Sequence, residues 1–230
     1  MSINLNVMQV DGASAAVVVL PGGGYGFCSD RESENVGQWL NTLGYTAAIL
    51  RYRVAPDRNP APLEDATEAV RQIRAIDGID RVGILGFSAG GHLAGWTSAT
   101  LTSDQIQAAV LCYPVVSLTK PFAHGGSRDN LLGPDAPDAL AEELSLETLV
   151  HDRMPPTFIW HTTHDEPVPP RNALLLASRL DDLGVPYELH LYERGHHGLS
   201  LLDDDPKAPR EVVSWMTHAA EFLARHLPAR

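Results

Sequence analysis

Residues 81–94, RVGILGFSAGGHLA, join an apolar run the length of a buried strand to a glycine-rich turn and then to a helix. The strand reads as Arg81 to Leu85, and the helix runs from Ser88 to about Leu101. Within the turn, Gly86-Phe87-Ser88-Ala89-Gly90 is a GxSxG. By chance alone such a pentapeptide occurs about once in ten chains of this length and composition. Its position between strand and helix carries more weight, because that turn lifts a serine hydroxyl above a sheet and sets it at a helix N-terminus. A serine that merely caps the helix is the plainer alternative.

Outward from this stretch, strand-length and helix-length segments alternate. Ala15 to Leu20 is a continuous β-branched run ended by Pro21 and three glycines, and Tyr45 to Leu50, Ala108 to Tyr113, Thr157 to His161 and Tyr187 to Tyr192 read as further strands. Apolar spacing predicts helices over Arg31 to Leu43, Pro62 to Ile76, a stretch ending near Leu183, and Pro209 to Leu227. In the last of these, Val212, Val213, Met216, Ala220 and Leu223 form the expected inner stripe. Continuous apolar strands separated by helices imply an α/β domain with a mostly parallel sheet covered on both faces. Without repeat or linker, residues 1–230 read as one domain. Only 114–156 departs from the alternation, either as a cap over the strand ends or as a surface excursion.

Composition narrows the partners. Hydrophobic residues are 44% and charged residues 20% of the chain, enough apolar material for a core. Twenty-nine acidic against seventeen basic residues give a net charge of −12, which disfavours nucleic acid and anionic membranes and suits a small uncharged substrate. No segment reads as a signal peptide or membrane span, so a cytoplasmic protein is expected, with Cys28 and Cys112 read as two buried thiols in preference to a single bridge.

A serine nucleophile needs a base and a carboxylate to orient it. His197 lies in ERGHHG (193–198), a loop after the last strand, and Asp165 lies in HTTHDEPVP (161–169), after the strand before it. The order Ser88, Asp165, His197 places all three at carboxyl ends of strands, where open α/β sheets put their sites. Pro21-Gly22-Gly23-Gly24-Tyr25, after the first strand, reads either as a turn that aims backbone N–H groups at an oxyanion or as a flexible connection. Tyr25, beside those glycines, is a candidate substrate contact. The histidines around Asp165 and His197 (His161, His164, His196) also admit a metal-cluster reading, which lacks the spacing of a helical HExxH. No metal or cofactor is therefore expected.

With PGGGY (21–25), RYR (51–53), PAPLEDA (60–66), GFSAGGHLA (86–94), HGGSR (124–128), Asp165 to Pro169 and ExGxHG (193–198) all present, the chain resembles α/β-hydrolase esterases of the acetyl-xylan-esterase-like and feruloyl-esterase-like group, related to the hormone-sensitive-lipase type. The resemblance implies Ser88 as nucleophile, His197 as base, Asp165 as its orienter, and an oxyanion hole from the N–H groups of Gly23, Gly24 and Ala89. It implies hydrolysis of short acyl esters, acetyl esters of sugars or xylo-oligosaccharides first, with a broad carboxylesterase, an arylformamidase or peptidase, and a non-catalytic binding protein as alternatives. The leading hairpin of such folds looks shortened or missing here, leaving a sheet edge that a second subunit of a homodimer could cover.

Overall fold

The computed structural model describes residues 3–202 and 208–230. Seven strands form one sheet in the order β1-β3-β2-β4-β5-β6-β7. They are β1 (Leu5–Met8), β2 (Ala15–Leu20), β3 (Thr46–Leu50), β4 (Arg81–Phe87), β5 (Ala108–Cys112), β6 (Thr157–Thr162) and β7 (Tyr187–Tyr192). Only the β1–β3 pairing is antiparallel. Strands β2 to β5 are buried along their whole length apart from Arg81, as is β6, which is why their sequences read as continuous rather than alternating apolar runs.

Alternate residues of these strands feed two separate cores. Val18, Leu20, Ile84 and Leu111 pack with helices α2 (Ala61–Arg74), α3 (Ala89–Leu101) and α7 (Arg171–Asp182). Val17, Val19, Phe87 and Trp160 pack on the opposite face with α1 (Glu34–Thr42) and α8 (Ser214–His226). The expected parallel sheet with helices on both faces is therefore present. Among the described residues no helix is long and apolar enough to cross a membrane. Two of the motif pieces explain each other: the Arg53 side chain of RYR donates to Asp65 of PAPLEDA at 3.0 Å and 3.1 Å, and Arg53 N–H reaches the same carboxylate at 2.7 Å.

Two expectations are corrected and one is narrowed. Leu5–Met8 is a strand paired antiparallel with β3, too short for its alternation to stand out, so the leading part is shortened and not missing, and the sheet edge lies on β1. The helix expected from Arg31 starts at Glu34, behind a 3-10 turn over Asp30–Glu32. The inner stripe of the last helix is Val212, Trp215, Ala219, Phe222 and Leu223, while Val213 is 41% exposed. A 3-10 turn over Arg210–Val213 advances the chain by 3.0 rather than 3.6 residues per turn and shifts the phase of everything after it.

The remaining helices, α4 (Gly125–Leu132), α5 (Asp138–Glu143) and α6 (Leu146–Leu149), all belong to segment 114–156. Part of that segment is core: Leu144 and Leu146 are buried, and Leu146 packs against Gly95 of α3. The other part, from His124 to Asn130, faces the carboxyl ends of the strands and lines a cavity there.

Backbone crossings fix the turn after β4. A Cβ on Gly86 would overlap the carbonyl of Gly90, and one on Gly90 would overlap the carbonyls of Leu20 and Pro21. At Gly125, in contrast, a Cβ meets nothing within 4 Å. Replacing Gly90 with Ala should therefore cost about 3 kcal/mol or more in urea unfolding. Gly125→Ala should change stability by less than about 1 kcal/mol. Equal costs at the two positions would show that the β2–α3 approach is not the constraint.

Candidate active site

The strand register brings the glycine turn and the serine turn together. Leu20 pairs with Gly86, so Pro21-Gly22-Gly23 and Phe87-Ser88 leave the sheet side by side. Strands β3 and β4 lie on opposite sides of β2, which makes this crevice the topological switch point of the sheet. The next strand pairs Cys112 with Phe87, and the Cys112 carbonyl accepts from Ser88 N–H at 2.9 Å.

Ser88 has φ 54° and ψ −118°, a strained backbone conformation for a residue with a side chain. Its Oγ lies 2.7 Å from His197 Nε2, and His197 Nδ1 lies 2.6 Å from Asp165 Oδ2. Asp165 is buried and accepts Val168 N–H on its other oxygen at 2.9 Å. His161 donates from Nε2 to the Val168 carbonyl at 2.7 Å, with the same nitrogen 3.2 Å from Asp165 Oδ2. Burial pushes the Asp165 carboxyl up, but hydrogen bonds from His161 and His197 prevail and hold it below the usual carboxylate range. An ionised carboxylate on Nδ1 leaves Nε2 as acceptor for the Ser88 proton. The arrangement can thus turn Ser88 into a nucleophile.

A cavity of about 420 Å³ opens over Ser88 and His197, lined by Gly23, Gly24, Phe27, His124 and Asn130 among others. Gly23, with φ +128°, has no room for a Cβ against the backbone of Phe27. Gly22 N–H is taken by Glu32 at 2.8 Å, whereas the N–H groups of Gly23, Gly24 and Ala89 have no acceptor among the described residues. Donors of this kind beside a nucleophile suit an oxygen that becomes negative.

Tyr25 does not line the cavity. Its ring is fully buried and its hydroxyl donates to His92 Nδ1 at 2.7 Å, because His92 Nε2–H is committed to the Leu144 carbonyl at 2.8 Å. Burial pushes His92 down to about 4, so this link is between neutral groups. Tyr25 thereby ties the glycine turn to α3 and to segment 114–156. Tyr52 adds a second tie, donating to the Pro21 carbonyl at 2.7 Å.

His164 and His196 stand apart from the cavity, beside a shallow pocket with Arg194 and Pro209. Cys28 and Cys112 are both free thiols.

Glu32 is the residue that sequence reasoning missed. It is 4% exposed, lines the cavity, accepts Tyr113 O–H at 2.6 Å and holds Gly22 N–H. The Tyr113 hydroxyl in turn accepts Ser200 N–H at 2.9 Å, and the Tyr113 ring packs edge-on against His197 with centroids 5.0 Å apart. One carboxyl group therefore joins the glycine turn to the loop that carries His197. A signal existed: Glu32 falls four residues before Val36, on the apolar stripe of the expected helix, where a charge is out of place.

Comparison with known proteins places this site in context. A model of the prolyl oligopeptidase family matches residues 50–226. The endo-1,4-beta-xylanase B of Butyrivibrio fibrisolvens is 34% identical over 213 residues, 82% of this chain and 33% of that protein. The acetylxylan esterase of Xylanibacter ruminicola is 30% identical over 195 residues, 80% of this chain and 40% of that protein. This chain thus spans between a third and two fifths of the curated relatives it matches. An acetyl ester-xyloside bifunctional hydrolase from Caldicellulosiruptor lactoaceticus, known as a crystal structure, superposes with a TM-score of 0.88 at 38% identity, covering 98% of this chain and 88% of that one.

Burial raises the Glu32 carboxyl above its usual range, against hydrogen bonds from Tyr113 and Gly22 that lower it. A carboxyl raised on folding contributes stability that is whole below its unfolded pKa and fades as pH rises through the folded one. Glu32→Gln should therefore destabilise the chain by about 1–3 kcal/mol at acid pH. Its deficit should narrow as pH rises past the ordinary carboxylate range. Urea midpoints across pH 4–8 would read this, and a deficit that widens toward neutrality would reverse the assignment.

Proposed function

Because the chain belongs to the prolyl oligopeptidase family of α/β-hydrolases, we propose that it is a serine ester hydrolase that removes short acyl groups, acetyl first, from sugars or xylo-oligosaccharides. One observation carries the chemistry: the continuous chain from Ser88 Oγ through His197 to Asp165, at 2.7 Å and 2.6 Å, beside the N–H groups of the glycine turn. Similarity to an acetylxylan esterase and to an acetyl ester-xyloside hydrolase supports the acetyl and sugar parts of the reading.

In the proposed mechanism, Ser88 attacks the ester carbonyl while His197 Nε2 takes its proton. Asp165 stays ionised and stabilises the imidazolium. The N–H groups of Gly23, Gly24 and Ala89 meet the oxyanion, and loss of one such donor costs about 3 kcal/mol of transition-state stabilisation. His197 then protonates the leaving alcohol. Water, deprotonated by the same imidazole, attacks the acyl-Ser88 ester and releases the acid. The glycine-turn geometry depends on Glu32, Tyr25 and Tyr52, so these three act by positioning.

Membership of the prolyl oligopeptidase family favours a second reading, cleavage of an amide after proline, on the same residues. The two readings separate on substrates. Initial rates on p-nitrophenyl acetate, butyrate and octanoate should fall steeply with chain length, and a prolyl p-nitroanilide should be turned over far more slowly than the acetate. Ser88→Ala should lower kcat on p-nitrophenyl acetate by about four orders of magnitude or more without loss of fold. Preference for the anilide would establish the peptidase instead, and a rate undiminished in Ser88→Ala would remove Ser88 from the mechanism.

A further inference from the structure

We propose that Phe27 and His124 form the subsite for the sugar of the substrate, Phe27 lying against one face of a pyranose ring and His124 donating from Nε2 to a hydroxyl at its edge. The proposal rests on the sugar-ester reading and specifies where the sugar binds.

Phe27 is 63% exposed, more than any other large hydrophobic side chain among the described residues. The others lie on α7, on β7 or in the 3-10 turn before α8; of these exposed side chains Phe27 alone stands at the cavity over Ser88. An exposed aromatic ring forfeits the gain of burial, and one that lines a cavity is placed to regain it against a bound molecule. The backbone that carries it is tied down: Phe27 N–H and Gly26 N–H both bond the Gly23 carbonyl, at 3.3 Å and 2.9 Å, and Ser29 N–H bonds the Gly22 carbonyl at 2.9 Å. The ring is thus mounted on the same turn that offers N–H groups to the oxyanion.

The rest of the lining decides what that partner is. Apart from Phe27, the cavity walls are glycines and the side chains of Ser29, Arg31, Glu32, Ser88, His124, Asn130 and His197. Among the described residues no aliphatic side chain lines it. A long acyl chain buries poorly in such a site, because only one ring is there to take its methylenes out of water. A pyranose fits it better. The C–H groups on one face of the sugar pack on an aromatic face, whose π-system is negative, while hydroxyls around the edge seek hydrogen bonds.

His124 supplies a donor of fixed direction. As the residue capping α4, it accepts Ser127 N–H on Nδ1 at 3.1 Å, and a backbone N–H can only donate. The proton of the neutral ring therefore sits on Nε2, which no described residue takes. Burial, together with the nearby His197, lowers the His124 pKa and keeps the ring neutral. Its imidazole stands over Gly24, with Cε1 3.6 Å from where a Cβ of Gly24 would lie, so donor and oxyanion turn share one cavity.

The test uses wild type, Phe27→Ala, Phe27→Leu, Phe27→Tyr and His124→Ala. For each, kcat/KM is measured on acetylated xylobiose and on p-nitrophenyl acetate and octanoate, together with inhibition of p-nitrophenyl acetate hydrolysis by free xylobiose. The ratio of kcat/KM for acetylated xylobiose to that for p-nitrophenyl acetate should fall at least tenfold in Phe27→Ala and Phe27→Leu. Xylobiose inhibition should weaken by a similar factor, and Phe27→Tyr should keep both. His124→Ala should move the same ratio in the same direction. Equal losses on both esters with xylobiose inhibition unchanged would make Phe27 a mere prop of the turn and overturn the proposal. A loss confined to the octanoate, rescued by Leu, would assign the ring to an acyl chain and overturn it too. Failure of wild type to be inhibited by xylobiose would do the same. If xylobiose competes in a Phe27-dependent way but its acetate is not cleaved, the subsite stands and the substrate reading falls.

Discussion

Everything at the proposed site hangs on the backbone of Ser88. At φ 54° and ψ −118° it sits where a side chain is costly, a strain on the order of 1–3 kcal/mol. It is held there by bonds on both sides: Ser88 N–H to Cys112, and Val115 N–H and His92 N–H to the Ser88 carbonyl, at 2.9–3.1 Å. The turn also closes only because Gly86 and Gly90 bring backbone against backbone. The same closeness sets the end of β2 beside α3, and so puts the Gly22–Gly24 turn next to the serine hydroxyl.

A second constraint operates behind the histidine. His197 sits on a loop with little secondary structure of its own, so its position must be fixed by bonds from neighbouring elements. Ser200 provides them: its N–H goes to Tyr113, its hydroxyl to the Arg31 carbonyl at 2.6 Å, and its carbonyl takes the Trp215 indole N–H at 3.2 Å. Glu32 closes the circuit to the glycine turn. Burying that carboxyl works against folding, and two good donors offset part of the cost. Ser88, His197 and the glycine-turn N–H groups are thereby tied together through one set of bonds, which the proposed stabilisation of a transition state by prepositioned dipoles requires.

Segment 114–156 does two jobs that its sequence mixes together. Leu144 and Leu146 complete the core over α3, and the Leu144 carbonyl anchors His92. His124 and Asn130 reach the cavity, where Asn130 Nδ2 donates to the Gly24 carbonyl at 2.9 Å. The segment is a wall of the cavity built on a buried footing.

The sequence by itself determined the sheet, its parallel sense and the location of the serine turn, because buried strands must be continuously apolar and glycines must stand where backbones cross. It also singled out the histidine and the aspartate, since parallel strands send every such loop to the same end of the sheet. Short β1 and the phase of the last helix escaped it, because four residues carry too little periodicity and one 3-10 turn resets the count. Only the tertiary structure decided that Tyr25 turns inward to His92, that Glu32 turns inward to Tyr113, and that Phe27 and His124 face the cavity. Those outcomes depend on contacts between residues 67, 81 and about 100 positions apart. Such contacts are set by how strands and loops stack in space, and local pattern holds no record of them.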